Sequence, residues 1–257
     1  MTVFQSGLAL EVRNLIAGYQ DQVVLEGVSW QVPRGSLAAI IGPNGGGKST
    51  LLKTAVGLLK PFSYDTLTLL GQSPKLGRKR TAYLPQREEV DWDFPITVLE
   101  VVLQGRLVRK GWRGRLCRED YAASRRALEL FGLAGLEASQ IGALSGGQRQ
   151  RVFLARAVVQ EADLILLDEP AAGLDAQTQH ELADLFVDLC RQGKTIIAAT
   201  HDLDCLTECF DQVLALNRRV LAAGEPSQVL TEAILEELFA RHFPKVGAGG
   251  EVMVHES

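Results

Sequence analysis

The sequence predicts an α/β fold in which a largely parallel β-sheet is covered by helices on both faces. An apolar segment, Leu37–Ile41, runs directly into a glycine-rich loop that is followed by a helical pattern. Two further apolar segments, 164–167 and Thr195–Thr200, are separated by a helical pattern at 176–192. Strands that are buried on both faces, with helices between them, are typical of such sheets.

Size and composition fit one large domain, with or without an inserted subdomain. The 257 residues are 46% hydrophobic and 23% charged, so a core can form without disulfides or a metal. A net charge of −4 argues against broad nucleic-acid binding, and we expect no nucleic-acid partner. No apolar stretch approaches the roughly 18 residues of a membrane span, and no secretory signal is visible. We therefore expect a cytosolic chain that meets a membrane only through a partner.

The remaining segments follow the same pattern of strands and helices. Short strands are predicted at 10–12, 23–25 and 28–32, broken by glycines and by the turn at 33–35. Helical spacing at 99–107 and 121–131 predicts a mostly helical insertion. The last helical pattern, 226–243, leads into a glycine-rich tail. The predicted division is a core of 1–86 and 161–224, a helical subdomain of 87–160, a C-terminal helix region of 225–245 and a flexible tail of 246–257.

Four cysteines, at positions 117, 190, 205 and 209, form no CxxC pair, which favours free thiols in a reducing compartment. His201, Cys205 and Cys209 follow a spacing of i, i+4 and i+8, which would align three metal ligands on a helix. Buried thiols explain Cys205 and Cys209 equally well, and we favour that interpretation.

The glycine-rich loop fits G-x-x-x-x-G-K-[ST] at every required position. Its backbone N–H groups must point at phosphate oxygens, which requires glycine, and the following helix directs its N-terminal dipole at the same anion. Lys48 would lie near the β- and γ-phosphates, and the Ser49 hydroxyl would ligate Mg²⁺. The predicted phosphate loop is Gly42, Pro43, Asn44, Gly45, Gly46, Gly47, Lys48, Ser49 and Thr50.

A second candidate site is the acidic turn, Asp168 and Glu169, which ends the apolar strand 164–167. A carboxylate at the end of a buried strand needs a charge partner, and Mg²⁺ is the obvious partner for Asp168. Glu169 is then placed to polarise a water that attacks the γ-phosphate. An acidic turn without function would explain the pair if the phosphate loop were absent.

The segment 144–148 reads LSGGQ and precedes a helical pattern at 152–159. Ser145, Gly146 and Gly147, followed by Gln148, predict a helix start that suits an anion. One ATP cannot obviously use both this helix start and the phosphate loop of the same chain. A head-to-tail homodimer, in which each segment caps the partner's nucleotide, solves this problem.

LSGGQ is the signature of the ATP-binding-cassette (ABC) family, and the sequence resembles that family over nearly its whole length. The resemblance implies a P-loop NTPase of ABC type, with a RecA-like core, an N-terminal antiparallel β subdomain and an inserted α-helical subdomain. It implies ATP and Mg²⁺ as cofactors, with Ser49, Gln86 and Asp168 near the Mg²⁺. In the family pattern, Tyr19 stacks on adenine, Asp175 lies in the loop that contacts the other subunit, and His201 contacts the γ-phosphate.

Singly, these further matches have plain explanations. Tyr19 could be a core aromatic, Gln86 a loop residue and His201 a strand-end histidine, but five motifs in the right order exclude coincidence. Two positions depart from the pattern: Gly173 replaces a bulkier residue, and Ala143 replaces a polar one. Neither removes a phosphate or metal contact.

The segment after Gln86 carries the only signal about substrate. It places Trp92 and Phe94 among aspartates, which suggests a partner surface, although burial under the helical subdomain would also explain both rings. Its W-D-F-P run resembles the ATPases of manganese, zinc or iron importers, and we favour manganese. The resemblance implies integral membrane permease subunits, an extracytoplasmic metal-binding protein and a location on the cytoplasmic face of the inner membrane.

Other functions stay open at this point. The alternatives are a soluble ABC ATPase, such as one of iron–sulfur assembly, and an importer of another substrate. DNA-repair relatives insert a long coiled coil and translation factors carry two cassettes, and this chain has neither. A nucleotide kinase would not need LSGGQ.

Overall fold

The computed structural model describes residues 7–86, 94–110, 114–200 and 209–239. In chain order, the strands in these residues are β1 (Leu8–Tyr19), β2 (Gln22–Pro33), β3 (Leu37–Ile41), β4 (Thr66–Leu69), β5 (Thr81–Leu84), β6 (Leu164–Asp168), β7 (Thr195–Thr200), β8 (Gln212–Asn217) and β9 (Arg219–Gly224). The helices are α1 (Lys48–Ala55), α2 (Pro74–Gly77), α3 (Val98–Lys110), α4 (Arg118–Leu130), α5 (Gly146–Val159), α6 (Ala176–Arg191), α7 (Pro226–Val229) and α8 (Glu232–Phe239).

The larger sheet has the order β5-β6-β7-β3-β8-β9, and its strands are parallel except for β9 at the edge. Every residue of β3 and β6 is buried, as expected for strands covered on both faces. Because the strands are parallel, the carboxyl ends of β3, β5, β6 and β7 meet at one edge, which is where ligands bind in sheets of this kind. The α/β prediction is confirmed.

Alternate residues of this sheet enter different parts of the core. Leu37, Ile165 and Ile196 pack with helices α3 to α6 on one face. Ile40 and Leu166 point to the other face and pack with α1 and the antiparallel sheet. The sheet therefore lies between a helical layer and a β-rich layer.

The smaller sheet is antiparallel, in the order β2-β1-β4. The prediction of short strands broken at Gly18 and Gly27 is wrong, because both glycines lie inside long strands. At Gly18 a Cβ would come within 1.9 Å of the carbonyl oxygen of Gln22, so the glycine allows the hairpin strands to approach closely. Glycine inside a strand marks a close approach here, not an end.

The helices predicted at 99–107 and 121–131 are confirmed as α3 and α4, and three further helical predictions have a definite outcome. The helix at 176–192 is confirmed as α6. The helical pattern after the phosphate loop covers 49–59, but the helix ends at Ala55. The single helix predicted at 226–243 is wrong within the described residues: Leu230 and Thr231 separate α7 from α8. Among the helices that the structure describes, none has the length and apolar character needed to cross a bilayer.

Candidate functional site

The phosphate loop connects β3 to α1 at the carboxyl edge of the larger sheet. Gly42 has φ 155°, and a Cβ there would lie 2.0 Å from the carbonyl oxygen of Leu216. Gly47 has φ 98°, and its Cβ would lie 2.5 Å from Cδ2 of Leu25. Both the backbone conformation and the close packing therefore require glycine at these two positions.

The loop is held from outside by the turn between β8 and β9. The Gly46 carbonyl accepts a hydrogen bond from the Arg218 N–H at 2.9 Å, and the Arg218 carbonyl accepts one from the Glu26 N–H at 2.8 Å. Within the loop, the Gly46 N–H donates to the Pro43 carbonyl at 3.0 Å. Arg218 is a supporting residue that the sequence analysis missed, because nothing local indicates that this turn meets the loop.

Lys48 begins α1 and is almost completely buried inside the loop. Its Nζ donates to the carbonyl of Gly42 at 2.8 Å and to that of Pro43 at 3.1 Å. Burial lowers the pKa of Lys48 from its ordinary value, and the negative charges of Glu169 and Asp168 oppose that shift. The loop thus encloses a cation that faces two carboxylates across the sheet edge. Of the other loop residues, Asn44 and Gly45 are exposed at the tip, Ser49 is half-buried and Thr50 is buried.

The acidic turn lies at the same edge of the sheet. Asp168 is the last residue of β6 and is 1% exposed. Glu169 has φ 52°, a sparsely populated conformation for a non-glycine residue that is enriched at functional sites. Its N–H donates to the Ala199 carbonyl at 2.9 Å. Gln86, which follows the adjacent strand β5, donates from Nε2 to Oε2 of Glu169 at 3.4 Å.

These groups can hold a hard cation next to a phosphate. The Asp168 carboxylate, the Ser49 hydroxyl and the Gln86 amide oxygen are the oxygen ligands that Mg²⁺ prefers. The Asp168 carboxylate is buried and lies close enough to Lys48 for the two charges to interact. The donor set therefore fits Mg²⁺.

The predicted helix start at Ser145, Gly146 and Gly147 is confirmed: helix α5 begins at Gly146 and continues through the apolar pattern at 152–159. Ser145 is the N-cap and forms a capping box with Gln148. The Ser145 N–H donates to Oε1 of Gln148 at 2.9 Å, and the Gln148 N–H donates to Oγ of Ser145 at 3.3 Å. Gly146 and Gly147 form the first turn, where N–H groups at a helix start can meet an anion.

Gln150 connects this helix to the acidic turn. Its side chain is 2% exposed, and its Nε2 donates to the Pro170 carbonyl at 3.0 Å. Pro170 directly follows Glu169, so the helix start and the acidic turn are held in one arrangement. No predicted site includes Gln150. The only local sign of its role is that an amide lies on the buried side of an apolar helix.

Asp175 is exposed and is the N-cap of α6. Its carboxylate accepts from the Thr178 N–H at 2.9 Å and from the Thr178 hydroxyl at 2.8 Å. These hydrogen bonds, that to the backbone N–H first, lower the pKa of Asp175. Asp175 therefore has a local capping function in addition to any contact with another subunit.

The structure describes only some of the remaining residues that were predicted to belong to functional sites. Tyr19, at the end of β1, is 45% exposed, and Phe94 is 59% exposed. Trp92 and His201 lie outside the described residues. Of the three residues of the alternative metal site, His201, Cys205 and Cys209, the structure describes only Cys209, whose side chain is half-buried.

Comparison with known proteins adds four findings. Residues 25–172 match the family model described as ABC transporter. The zinc transport system ATP-binding protein TroB of Treponema pallidum is 45% identical over 231 residues, covering 90% of this chain and 86% of that protein. The manganese transport system ATP-binding protein MntB of Bacillus subtilis is 43% identical over 230 residues, covering 90% and 92%. A solved structure of the ATP-binding subunit of an ABC transporter superposes with a TM-score of 0.76 at 30% identity, covering 91% of this chain and 98% of that one.

Proposed function

Because the chain belongs to the ABC transporter family, as an ATP-binding and ATP-hydrolysing member, we propose that it drives the import of a divalent transition metal ion. The observation that carries the choice of metal is the similarity over most of the chain to relatives named for zinc and manganese transport. Manganese is the favoured substrate, with zinc or iron as the alternatives. Because the ATPase subunit of such a system would not contact the transported ion, its own residues do not determine which metal is transported.

Nucleotide binding falls to the phosphate loop and Lys48. The Lys48 ammonium donates to the loop carbonyls of Gly42 and Pro43. On binding ATP, it would turn to the β- and γ-phosphates, which provide stronger, charge-assisted hydrogen bonds. The exposed ring of Tyr19 would stack on the adenine.

Ser49, Gln86 and Asp168 would hold the Mg²⁺ that accompanies ATP. The bound ion would neutralise charge on the β- and γ-phosphates. The residues of the chain would do the remaining work of orienting the phosphates and the attacking water.

Glu169 would orient and deprotonate that water. Its carboxylate is positioned by the hydrogen bond from Gln86 and by the backbone bond to Ala199. A base held in one place before the reaction needs no rearrangement at the moment of attack. His201 would contact the γ-phosphate in the same cycle.

The complete site would require two copies of the chain. Residues 145–148 of one copy would cap the nucleotide held by the phosphate loop of the other, and Asp175 would lie at the same interface. The capping box of Ser145 and Gln148 already fixes the helix start in the single chain, so its N–H groups need little reordering on closure. In the proposed division, 1–86 and 161–224 form the catalytic core and 87–160 the helical subdomain, with 225–245 as the C-terminal helix region and 246–257 as the tail.

Gln86, Trp92 and Phe94 would couple this closure to integral membrane permease subunits. The 59% exposure of Phe94 supports a partner surface at this position. The chain would then lie peripherally on the cytoplasmic face of the inner membrane, and an extracytoplasmic protein would deliver the metal to the permease. No nucleic acid takes part.

Cellular metal content tests the proposed substrate. We expect cells that lack this chain to contain less manganese than the parent strain under manganese limitation, measured by mass spectrometry of washed cells. The wild-type gene should restore the manganese content, whereas a gene carrying Glu169→Gln should not. If only the zinc or only the iron content falls, that metal and not manganese is the substrate. Unchanged contents of all three metals would contradict metal import.

Co-purification tests the transporter assignment independently of the metal. We expect a polytopic membrane protein to accompany the tagged chain from detergent extracts. Isolation of the chain only in a complex without a membrane protein would favour a soluble function, such as iron–sulfur assembly.

A further inference from the structure

Glu161 follows the signature helix α5 in an unusual backbone conformation. The helix ends at Val159 with Gln160 as its C-cap, and Glu161 has φ 55°. Glycine is the usual residue at this left-handed position because it has no side chain to strain. A glutamate here indicates that its side chain is used, since backbone strain is retained where the surrounding structure requires it.

The Glu161 carboxylate is the meeting point of two arginines from α3. Its Oε1 accepts from Nη1 of Arg106 at 2.6 Å, and its Oε2 forms an ion pair with Arg109. Arg106 is 9% exposed and also donates to the Val159 carbonyl at 3.2 Å and to Oδ1 of Asp120 on α4 at 2.9 Å. Arg106 thus binds the last carbonyl of α5, where a cation also complements the helix dipole.

Glu161 is attached to the core of the protein as well. Its own carbonyl accepts from Nζ of Lys194 at 3.1 Å, and Lys194 immediately precedes β7. Glu161 therefore connects α3, the end of α5 and the amino-terminal end of strand β7 in the larger sheet.

A second contact between α3 and α5 lies one residue away from Arg106. At Gly105 a Cβ would come within 2.4 Å of the Arg156 carbonyl oxygen, so the two helix backbones touch there. Around this contact, buried side chains of both helices, such as Val102 of α3 and Val152 of α5, pack in the same core cluster. The bond from Arg106 to Glu161 lies beyond Arg156 along α5, so it ties the end of α5 to α3 in addition to this packing.

We propose that Glu161 is a positioning residue which transmits movement of α3 to the start of the signature helix. The proposal rests on the proposed function, in which a permease pushes on the surface near α3. That helix exposes Leu107 and Val108, which are 39% and 56% accessible. Helix α5 has 14 residues, and at a rise of about 1.5 Å per residue it is about 20 Å long. A tilt of about 5° at Glu161 would move Ser145 by about 2 Å against the Gln150–Pro170 hydrogen bond that holds the start of α5, and a displacement of about 1 Å can reduce a rate by about 100-fold.

The test uses Glu161→Gly in the full chain, alone and in the complex with the membrane subunit that co-purifies with it. Glycine relieves the left-handed strain, which offsets the loss of the ion pairs, and Arg106 keeps Asp120 and the Val159 carbonyl as partners, so the variant should fold with a Tm close to that of the wild type. We expect the stimulation of ATPase activity by the membrane subunit to fall by at least about 10-fold. The Kd of the isolated chain for ATP should stay within about 2-fold, because Glu161 does not belong to the phosphate loop.

Asp163→Asn is the matched control. Asp163 pairs with Arg80 and Lys194 at the same edge of the sheet, but its pairs do not involve α3. This variant should keep normal stimulation, and Glu161→Gln, which retains hydrogen-bond acceptors, should fall between the two. Normal stimulation in Glu161→Gly would overturn the proposal, as would a loss of Tm together with an equal loss of all activities. A wild-type chain that the membrane subunit does not stimulate would instead overturn the proposed function itself.

Discussion

Gln150, in the signature helix, donates a hydrogen bond to the carbonyl oxygen of Pro170, in the turn that carries Glu169. The bond is buried and joins two segments that lie 20 residues apart in the chain. It fixes the start of α5 relative to the proposed catalytic carboxylate within one copy of the chain. In the proposed dimer, each Gln150 would therefore connect the helix start that caps the partner's nucleotide to the Glu169 that acts on the nucleotide of its own chain.

Gln150→Met tests this connection. Methionine keeps the length of the side chain but leaves the Pro170 carbonyl without its donor, so we expect a loss of about 1–3 kcal/mol in the free energy of unfolding. ATP turnover should fall as well, because Glu169 loses its support. Urea denaturation and steady-state hydrolysis measure the two effects. Gln177→Met, at an exposed position of α6, is the control and should stay within about 0.5 kcal/mol of the wild type.

Glu169→Gln should stop hydrolysis without preventing ATP binding. Glutamine has nearly the same shape but cannot accept a proton, and general-base catalysis contributes about 10²–10⁴-fold to a rate. We expect turnover to fall by about that factor and an ATP-bound dimer to accumulate, which light scattering coupled to size-exclusion chromatography would detect. Glu181→Gln on α6 is the control. Normal turnover in Glu169→Gln would refute the role assigned to Glu169.

Lys48→Ala should strongly weaken ATP binding. The variant loses a buried ammonium group, and hydrogen bonds to charged groups contribute about 1.5–3 kcal/mol, which corresponds to a loss of affinity of about 10- to 100-fold or more. Isothermal titration with ATP measures the change. Lys53→Ala, on the same helix, should bind ATP normally. An unchanged affinity in Lys48→Ala would contradict the function of the phosphate loop.

Gly105→Ala should destabilise the protein although alanine is the better helix former. The added methyl group would lie 2.4 Å from the Arg156 carbonyl oxygen, so α3 must move away from α5. Overpacking of this kind costs about 1–3 kcal/mol, more than the gain in helix propensity of about 1 kcal/mol or less. Gln104→Ala, at the exposed neighbouring position, should have the stability of the wild type or slightly more. Equal stability of Gly105→Ala and Gln104→Ala would show that the helices do not touch.

The described cysteines should differ in reactivity. Burial raises the pKa of Cys190 to about 12, so its thiol stays protonated and unreactive at pH 8. Cys117 is exposed and should be alkylated by iodoacetamide in the native chain. Peptide mass spectrometry would show labelling of Cys190 only after denaturation. Equal rates of labelling for the two native thiols would contradict the burial of Cys190.

The sequence by itself predicted the structure correctly where the chemistry and the structure both depend on residues that are close together in the chain. The strand at Thr195–Thr200 has the predicted bounds, because an uninterrupted apolar run can only be buried on both faces. The phosphate loop follows from its glycines and Lys48, since a loop that surrounds a phosphate needs those residue types in that order. The predicted breaks at Gly18 and Gly27 are wrong because the neighbouring strand continues the pairing past both residues: Gly18 allows the close approach of Gln22, and Gly27 has a left-handed conformation (φ 71°) at an irregularity of the β1–β2 pairing.

Only the tertiary structure decided which distant residues support these local motifs. Arg218 holds the phosphate loop, Gln150 holds the acidic turn, and Glu161 joins α3 to the end of α5. Each of these contacts depends on strand order and on the angle at which helices cross. A hydrogen bond forms with whichever group the fold brings within about 3 Å. The residues on either side of the donor in the sequence do not identify that group.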